Sequence, residues 1–343
     1  MLEKPALRDD DLITCLQTEY GIPVKQVTFL PCGVDVDAAV YRATSPDCTA
    51  YFVKLRRGIF NEITVKLPRF FREQGIRQII APLATETNQL WANLGPYKLV
   101  LFPFIHGKDG YQVKLTEQNW LDFGKAVHSI HTLELPPELR SCIQQETYSP
   151  QWREMTRSLL EQVEGGPFAD PVAAEMAAFL RQKWYDITDL IRRTEQLALA
   201  LQSKSGNFVV CHSDLHAGNI LVSDRRDFYI VDWDNPILAL KERDLMYIGG
   251  CQGFIGYSAL EEETLFFKGY GQAPIDPAAL AYYRYERIIE DIAAFCQQII
   301  VNDRGEQDQK QALLYLKSNF ATNGTLQVAR QSDIDNPKGL KDP

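Results

Sequence analysis

Three side chains in the second half of the chain have the types and spacing needed to transfer a phosphoryl group. Asp214 lies in a segment that ends with Asn219 five residues later, and Asp232 follows the second of the two apolar runs that come next. A carboxylate can accept the proton of an attacking hydroxyl, and carboxylate and amide oxygens are hard ligands that suit Mg²⁺. Phosphoryl transfer needs a positioned proton acceptor with metal ligands close to it. The spacing therefore predicts Asp214 as the catalytic residue, which would also contact the substrate, and Asn219 and Asp232 as metal ligands.

Two short apolar runs are expected to bring Asp232 back beside Asn219. Residues 220–222 and 228–231 have the pattern of two strands joined by a polar turn. Gly218 would let the preceding backbone fold tightly. Because Asp and Asn are common in ordinary turns, an unspecialised loop is the alternative. The second carboxylate at the end of the return strand favours the catalytic interpretation.

The same segments resemble a known enzyme family. His212-Ser213-Asp214, with Asn219 five residues on, resembles the catalytic loop of the aminoglycoside phosphotransferase and choline kinase-like superfamily. Asp232-Trp233-Asp234 stands where protein kinases carry Asp-Phe-Gly, which suits the small-molecule branch. Further segments are similar to the spectinomycin phosphotransferases of that family, and they are Tyr51–Leu55, Phe102–His106, Tyr148–Glu154, Lys241–Leu245 and Tyr282–Arg287.

The resemblance implies both a fold and a reaction. The expected fold is α+β and bilobal, protein kinase-like, with a small antiparallel β lobe and a larger, mainly helical lobe. The expected reaction is the transfer of the γ-phosphate of ATP, with Mg²⁺, to a hydroxyl of an aminocyclitol antibiotic, above all spectinomycin. Residues 1–104 would form the nucleotide-binding lobe and residues 105–322 the catalytic and acceptor-binding lobe. Residues 323–343 are polar and are expected to be a disordered tail.

The N-terminal region has the pattern of a strand-rich lobe. Residues 26–30, 38–43 and 50–55 are predicted strands, and the loop between the first two carries Gly33. This hairpin tip could cover nucleotide phosphates, although a single glycine is a weaker signal than a glycine-rich loop.

Lys54 lies in the third of these strands, at the position that the resemblance assigns to the lysine contacting the α- and β-phosphates. Because its neighbours are apolar, its ammonium needs an anionic partner. Glu62, early in a predicted helix that Pro68 should interrupt, is the first candidate, and Glu73 is the alternative. A lysine at a strand edge in solvent is the other interpretation.

The apolar segment 99–105 is expected to lead into a hinge between the lobes. Adenine would then bond to the backbone near Phe104 and Ile105, although an ordinary core strand fits the same pattern.

Composition narrows the class of protein. Of the 343 residues 45% are hydrophobic and 24% are charged, which is typical of a globular protein. No apolar run approaches the length of a membrane span, and the first residues lack a signal-like apolar stretch. The seven cysteines are scattered. A cytoplasmic location with reduced thiols is therefore expected, and a membrane partner is not.

Charge is distributed unevenly along the chain. Residues 1–100 carry 12 Lys/Arg and 11 Asp/Glu, a net charge of +1, so the remaining 24 Lys/Arg and 34 Asp/Glu give the rest of the chain a net charge of −10. An acidic acceptor region attracts cations and repels nucleic acid, which favours a small cationic acceptor such as an aminocyclitol. An acidic surface that merely keeps the protein in solution is the alternative.

A predicted helix over residues 278–301 places Tyr283, Glu286 and Glu290 on one face. Such a face could bind the ammonium groups of a substrate. It could equally be a solvated face on which Arg287 and Asp291 pair at i, i+4.

Two other functions remain open from the sequence. The same fold hosts kinases of metabolic alcohols such as choline, ethanolamine, sugars or homoserine. A catalytically inactive binding module is the third alternative, and the intact set of Lys54, Asp214, Asn219 and Asp232 speaks against it.

Overall fold

The computed structural model describes residues 4–31, 37–204, 206–253, 255–301, 305–322 and 324–334. The strands are β1 (Gln26–Leu30), β2 (Ala38–Thr44), β3 (Ala50–Arg57), β4 (Ala92–Leu94), β5 (Tyr97–Pro103), β6 (Gly107–Asp109), β7 (Gln144–Gln145), β8 (Val209–Cys211), β9 (Ile220–Ser223), β10 (Phe228–Ile230) and β11 (Ile237–Ala239). The helices are α1 (Asp9–Tyr20), α2 (Ile63–Glu73), α3 (Glu117–Thr132), α4 (Pro137–Ser141), α5 (Gln151–Glu164), α6 (Pro171–Gln182), α7 (Trp184–Gln202), α8 (Glu242–Leu245), α9 (Ala259–Tyr270), α10 (Pro277–Ile300), α11 (Glu306–Ser318) and α12 (Thr325–Ile334).

The chain divides into two compact units. The first combines Met1–Gln144, His212–Ile237 and Cys251–Gln272, and the second combines Gln145–Cys211, Leu238–Gly250 and Ala273–Pro343. The predicted lobe boundary at residues 104–105 falls inside the first unit, which joins the N-terminal sheet to the segment carrying Asp214, Asn219 and Asp232.

A five-stranded antiparallel sheet, in the order β1-β2-β3-β5-β4, forms the N-terminal part of the first unit. Because side chains alternate along a strand, Val53 and Leu55 of β3 enter a core that also contains Leu12 and Leu16 of α1. Lys54 of β3 therefore points to the opposite face of the sheet. A second sheet, in the order β10-β9-β6, carries the predicted hairpin, with Ile230 opposite Ile220.

Two helices of the first unit cross at a pair of glycines. A Cβ at Gly124 of α3 would lie 2.1 Å from the carbonyl oxygen of Phe266, and a Cβ at Gly269 of α9 would lie 1.9 Å from that of Leu121. Only glycine allows the two backbones to approach this closely. Helix α3 lies beside β10 through its Phe123 ring, 6.0 Å from that of Phe228, so the crossing fixes the layer on which the hairpin rests.

Helix α10 is the centre of the second unit and packs against α5, α7, α11 and α12. Its buried residues include Tyr282, Ile289 and Cys296. A short sheet in the order β7-β11-β8 completes this unit. None of the helices in the described ranges is both long and apolar enough to span a bilayer.

Three local expectations require correction. Pro68 lies inside α2 and does not interrupt it, because its ring is buried on the face that also buries Val65 and Phe71. Residues 150–205, in which two apolar stripes predict two helices, contain three, because the backbone breaks at Lys183 between α6 and α7.

The third correction concerns the predicted tail. Residues 325–334 form helix α12, whose Leu326 and Ala329 are buried, and Asp333 accepts two hydrogen bonds from Arg193 at 2.7 and 2.6 Å. Apolar burial and this ion pair together hold a segment whose composition alone suggests disorder. Residues 335–343 lie outside the described residues.

Candidate active site

The loop from Asp214 to Asn219 is held by its own side chains. The Nδ2 of Asn219 donates to the backbone carbonyl of Asp214 at 2.8 Å and lies 3.4 Å from the carboxylate oxygen Oδ2 of the same residue. His216 Nδ1 accepts from the backbone N–H of Gly218 at 3.0 Å, and its Nε2 lies 3.5 Å from Asp214 Oδ2. The carboxylate of Asp214 thus lies between a carboxamide and an imidazole, at the point where the loop meets the hairpin.

His212 and Trp233 form the buried support of this loop. The Nδ1 of His212 accepts from the backbone N–H of Asp214 at 3.2 Å, so a neutral ring carries its proton on Nε2, which lies 2.8 Å from the carbonyl oxygen of Val231. Trp233 packs its ring against His212, with centroids 4.6 Å apart, and against Phe71 of α2, with centroids 5.1 Å apart. The two sequence motifs are therefore locked to one another.

Asp232 follows β10 in a left-handed backbone conformation, with φ of 67°. This conformation is unusual for a residue other than glycine, although aspartate tolerates it better than most, and strained backbone of this kind is often retained at functional sites. With Trp233 buried, Asp232 and Asp234 both reach the same ammonium, that of Lys54.

Lys54 lies at the centre of this charged cluster. Its Nζ is 2.6 Å from Asp232 Oδ1 and 2.7 Å from each carboxylate oxygen of Asp234. Arg56, two residues along β3, places its guanidinium 3.2 Å from Asp234 Oδ2. Only 17% of the Lys54 side chain is exposed, whereas 47% of that of Asp232 is exposed. Within the cluster, Lys54 is therefore shielded from solvent, whereas Asp232 is accessible to it.

The cluster shifts the acidities of its members. Burial disfavours the charged form of Lys54, but attraction to Asp232 and Asp234 outweighs this effect and raises the pKa of its ammonium well above its usual value. Burial also opposes the charge of Asp232, yet Lys54 holds the pKa of this carboxyl below its usual range. At Asp234 burial, reinforced by repulsion from Asp232, exceeds the attraction of Lys54 and raises the pKa.

Glu62 does not pair with Lys54 in this structure. Its carboxylate lies 2.7 Å from Lys66 Nζ, one turn along α2, and the alternative partner Glu73 lies 2.6 Å from Arg69 in the same way. Both glutamates are drawn to basic residues at i±4 on their own helix, a pairing that local geometry always offers. Lys54 takes its counter-charges from the Asp232–Asp234 segment instead.

The other predicted nucleotide contacts are at the edge of the described sheet. The backbone N–H of Phe104 donates to the carbonyl of Ala50 at 3.3 Å, and the guanidinium of Arg42 lies over the Phe104 ring, 4.9 Å from its centroid. Ile105 is half-buried. Gly33 lies outside the described residues, so the phosphate-covering loop stays a prediction from the sequence.

The predicted acidic face of α10 is turned inward in the second unit. Tyr283 and Glu286 are buried, and the guanidinium of Arg153 donates a hydrogen bond to the Glu286 carboxylate. Glu290 is half-buried and acts electrostatically on Arg243. Internal arginines thus take up the charge that was expected to meet a substrate. The alternative pairing of Arg287 with Asp291 is present, at 3.0 Å.

Asp234, Arg56 and the supporting role of Trp233 are the site features that the sequence analysis did not assign. The second carboxylate of Asp-Trp-Asp was visible as a departure from Asp-Phe-Gly, and this was the available signal for Asp234. Arg56 shares a strand face with Lys54 because side chains alternate along a strand and the two residues are two positions apart. The alternating pattern of β3 could therefore have identified Arg56 as a neighbour of Lys54. No local sequence pattern connects Lys54 with Asp232 or Arg56 with Asp234, because the members of each pair are 178 positions apart.

Comparison with known proteins agrees with this geometry. A family model described as the phosphotransferase enzyme family matches residues 28–238, a range that contains Lys54, Asp214, Asn219 and Asp232. The chain belongs to that family. A search of curated protein sequences finds no match.

Solved structures of phosphotransferases share the fold. The crystal structure of spectinomycin phosphotransferase APH(9)-Ia in complex with ADP and spectinomycin is 35% identical, with 96% of this chain and 99% of that chain covered and a TM-score of 0.87. Choline kinase LicA from Streptococcus pneumoniae, 15% identical with 90% of this chain and 98% of that chain covered, has a TM-score of 0.53 and shares the fold alone. The predicted family and the protein kinase-like α+β fold, with its antiparallel sheet lobe and helical lobe, are confirmed.

Proposed function

We propose that this phosphotransferase transfers the γ-phosphate of ATP to a hydroxyl of an aminocyclitol antibiotic, with spectinomycin as the preferred acceptor. The observation that carries the proposal is the joining of Lys54 to Asp232, at 2.6 Å, beside a loop that presents Asp214 and Asn219. The 35% identity across nearly all of both chains with a spectinomycin phosphotransferase supports the acceptor.

The donor set fits a magnesium ion. The Nδ2 of Asn219 is engaged with Asp214, so its Oδ1 is the amide atom suited to act as a ligand. The carboxylate of Asp232 is half-exposed, and both donors are hard oxygens of the kind that Mg²⁺ prefers. When bound together with ATP, the ion would neutralise negative charge on the phosphates.

The protein's own groups then have defined tasks. Asp214 orients the acceptor hydroxyl and accepts its proton, and the contact with Asn219 keeps the carboxylate in place. Lys54 holds the α- and β-phosphates with a charge that its two aspartate neighbours maintain. His212 and Trp233 hold the catalytic loop and the Asp232 segment in register.

Charge supports a cationic acceptor. The chain carries a net charge of −9, and residues after position 100 contribute −10 of it against +1 from residues 1–100. Such a region attracts a positively charged aminocyclitol and disfavours nucleic acid. The face of α10 that carries Tyr283, Glu286 and Glu290 is not assigned to the acceptor, because Tyr283 and Glu286 are buried and Arg153 pairs with Glu286.

The test is an end-point assay by mass spectrometry. Purified protein is incubated with Mg·ATP and, separately, with spectinomycin, other aminoglycosides, choline, ethanolamine, homoserine and small sugars. A single phosphate added to spectinomycin is the expected result, and the Asp214→Asn variant should add none in the same time.

Other outcomes separate the alternatives. A phosphate added only to choline, ethanolamine, homoserine or a sugar would keep the chemistry and overturn the proposed acceptor. Binding of Mg·ATP without phosphorylation of any of these compounds would likewise contradict the acceptor assignment. Failure to bind nucleotide at all would point to an inactive binding module.

A further inference from the structure

The ammonium of Lys54 is bound by two carboxylates rather than one. Asp232 contributes one oxygen at 2.6 Å, and Asp234 contributes both oxygens at 2.7 Å. We propose that Asp234 is the positioning residue for Lys54, in the role that the sequence suggested for Glu62. This inference rests on the proposed function, in which Lys54 holds nucleotide phosphates.

The glutamates of α2 are poorly suited to that role. The side chain of Glu62 is 47% exposed and that of Glu73 is 54% exposed, and each lies in an i, i+4 pair with a basic residue of the same helix. Exposed pairs of this kind contribute little to stability and exchange readily with water. A carboxylate of this sort would hold a phosphate-binding lysine only loosely.

Asp234, by contrast, is fixed from two sides. Its Oδ2 also contacts the Arg56 guanidinium at 3.2 Å, and Arg56 projects from the same strand face as Lys54. On the chain side, Asp234 directly follows Trp233, whose ring is buried against Phe71 and His212. The carboxylate is thus attached both to β3 and to the support of the catalytic loop.

Asp232 and Asp234 have different roles in balancing the positive charges of Lys54 and Arg56. Lys54 and Arg56 supply two positive charges, and Asp232 and Asp234 supply two negative ones. In the proposed function Asp232 is a metal ligand, so part of its charge is directed away from Lys54. Asp234 then remains as the counter-charge that holds the ammonium in the direction of the phosphates, because an ammonium this shielded from water needs a partner.

The experiment compares Asp234→Asn with the matched control Glu62→Gln. Both substitutions exchange a carboxylate for an amide of similar size. Binding of Mg·ADP is measured by calorimetry, and KM and kcat are measured for ATP and for spectinomycin. Asp234→Asn should weaken nucleotide binding and raise the KM for ATP about ten- to a hundredfold, the range typical for loss of an outer-shell partner. The KM for spectinomycin should stay within about twofold, and Glu62→Gln should change neither KM beyond that limit.

Two further variants distinguish positioning from folding. Asp234→Glu keeps the charge and should recover part of the lost nucleotide affinity, which a merely structural role of the aspartate shape would not predict. Arg56→Gln leaves both carboxylates in place and should raise the KM for ATP by a smaller factor than Asp234→Asn. Circular dichroism and thermal unfolding confirm that each variant is folded before it is assayed.

The opposite pattern would overturn the inference. Loss of nucleotide affinity in Glu62→Gln, with Asp234→Asn unchanged, would return the role to α2. A fall in kcat alone in Asp234→Asn, with an unchanged KM for ATP, would place Asp234 at the reacting groups instead. If the wild-type protein binds Mg·ADP but phosphorylates no acceptor, only the proposed acceptor fails, and the binding comparison still decides the role of Asp234. If the wild-type protein binds no nucleotide, both proposals fail together.

Discussion

The side-chain amide of Asn219 donates a hydrogen bond to the backbone carbonyl of Asp214, with the two atoms 2.8 Å apart. The bond closes the loop from Asp214 to Asn219 on itself, and the backbone N–H of Val231 donates to the carbonyl of Asn219 at 2.9 Å, which ties the loop to the return strand. These two bonds use the backbone carbonyls of Asp214 and Asn219, which remain when the Asp214 carboxylate is exchanged for an amide.

Asp214→Asn should consequently remove catalysis without disturbing the loop. Because the amide cannot accept the hydroxyl proton, kcat is expected to fall about a hundred- to ten-thousandfold, the usual contribution of a general base. Nucleotide affinity should be unchanged. Steady-state kinetics and calorimetric titration with Mg·ADP check both statements, and a variant that retains more than about a tenth of kcat would exclude Asp214 as the proton acceptor.

Asp232→Gly should be more stable than Asp232→Ala, although alanine is ordinarily the better tolerated replacement. Both variants lack the carboxylate that contacts Lys54, so the comparison isolates the backbone, which has φ of 67° at this residue. An alanine in this conformation costs about 1–2 kcal/mol, and glycine does not incur this cost. Urea unfolding of the two proteins gives the difference. Equal stabilities, or a more stable alanine variant, would mean that the segment relaxes once the carboxylate is removed.

Gly269→Ala should destabilise the protein by about 2–3 kcal/mol, the upper range for overpacking a core. The new Cβ would lie 1.9 Å from the carbonyl oxygen of Leu121, and a backbone atom cannot turn away as a side chain can. Gly166→Ala is the matched control, because a Cβ at Gly166 meets no atom within 4 Å. Thermal and urea unfolding of both variants test the contrast. A control as unstable as Gly269→Ala would contradict the explanation by helix crossing.

The buried pair of Arg153 and Glu286 predicts a pH dependence of stability. Burial raises the pKa of the Glu286 carboxyl to about 7, against the attraction of Arg153 and with the help of nearby Glu146 and Glu290. The folded protein therefore binds this proton more tightly than the unfolded chain, whose carboxyl keeps a pKa near 4.5. By linkage, the stabilisation is present below about pH 4.5 and is lost as the pH rises through about 7.

Glu286→Gln removes this titration. The free energy of unfolding of the wild type, relative to the variant, should fall by up to about 3 kcal/mol between pH 4.5 and 7.5. Urea unfolding at several pH values measures the difference. A difference that rises with pH would show that the ion pair with Arg153 dominates and that the carboxyl is ionised throughout.

The part of the site that sequence could predict is the part that is local. Asp214 and Asn219 lie five residues apart, and the hairpin that returns Asp232 is readable from its apolar pattern. The partner of Lys54 could not be read in this way, because a helix always offers its own glutamates a nearby basic residue, as Lys66 does for Glu62. Only the folded chain brings Asp234 from 180 positions away to compete for the lysine.

The same reasoning explains the misjudged fold elements. The C-terminal helix α12 is polar in sequence, and its stability depends on Arg193, 140 residues earlier in the chain. Pro68 breaks helices in general, but here its ring is buried inside α2. In each case tertiary burial or a distant charge outweighed a correct local tendency.

The first unit is assembled from three separate stretches of the chain, the last of which ends at Gln272. On the ribosome, the five-stranded sheet leaves the exit tunnel long before the Asp232–Asp234 segment has been translated, and domains of nascent chains generally fold from the N-terminus onward. Lys54 and Arg56 are therefore synthesised long before their counter-charges, because the stretch Gln145–Cys211 of the second unit is translated between them and Asp232–Asp234. Completion of the proposed nucleotide site is thus a late event for the nascent chain, and its timing depends on translation as much as on folding.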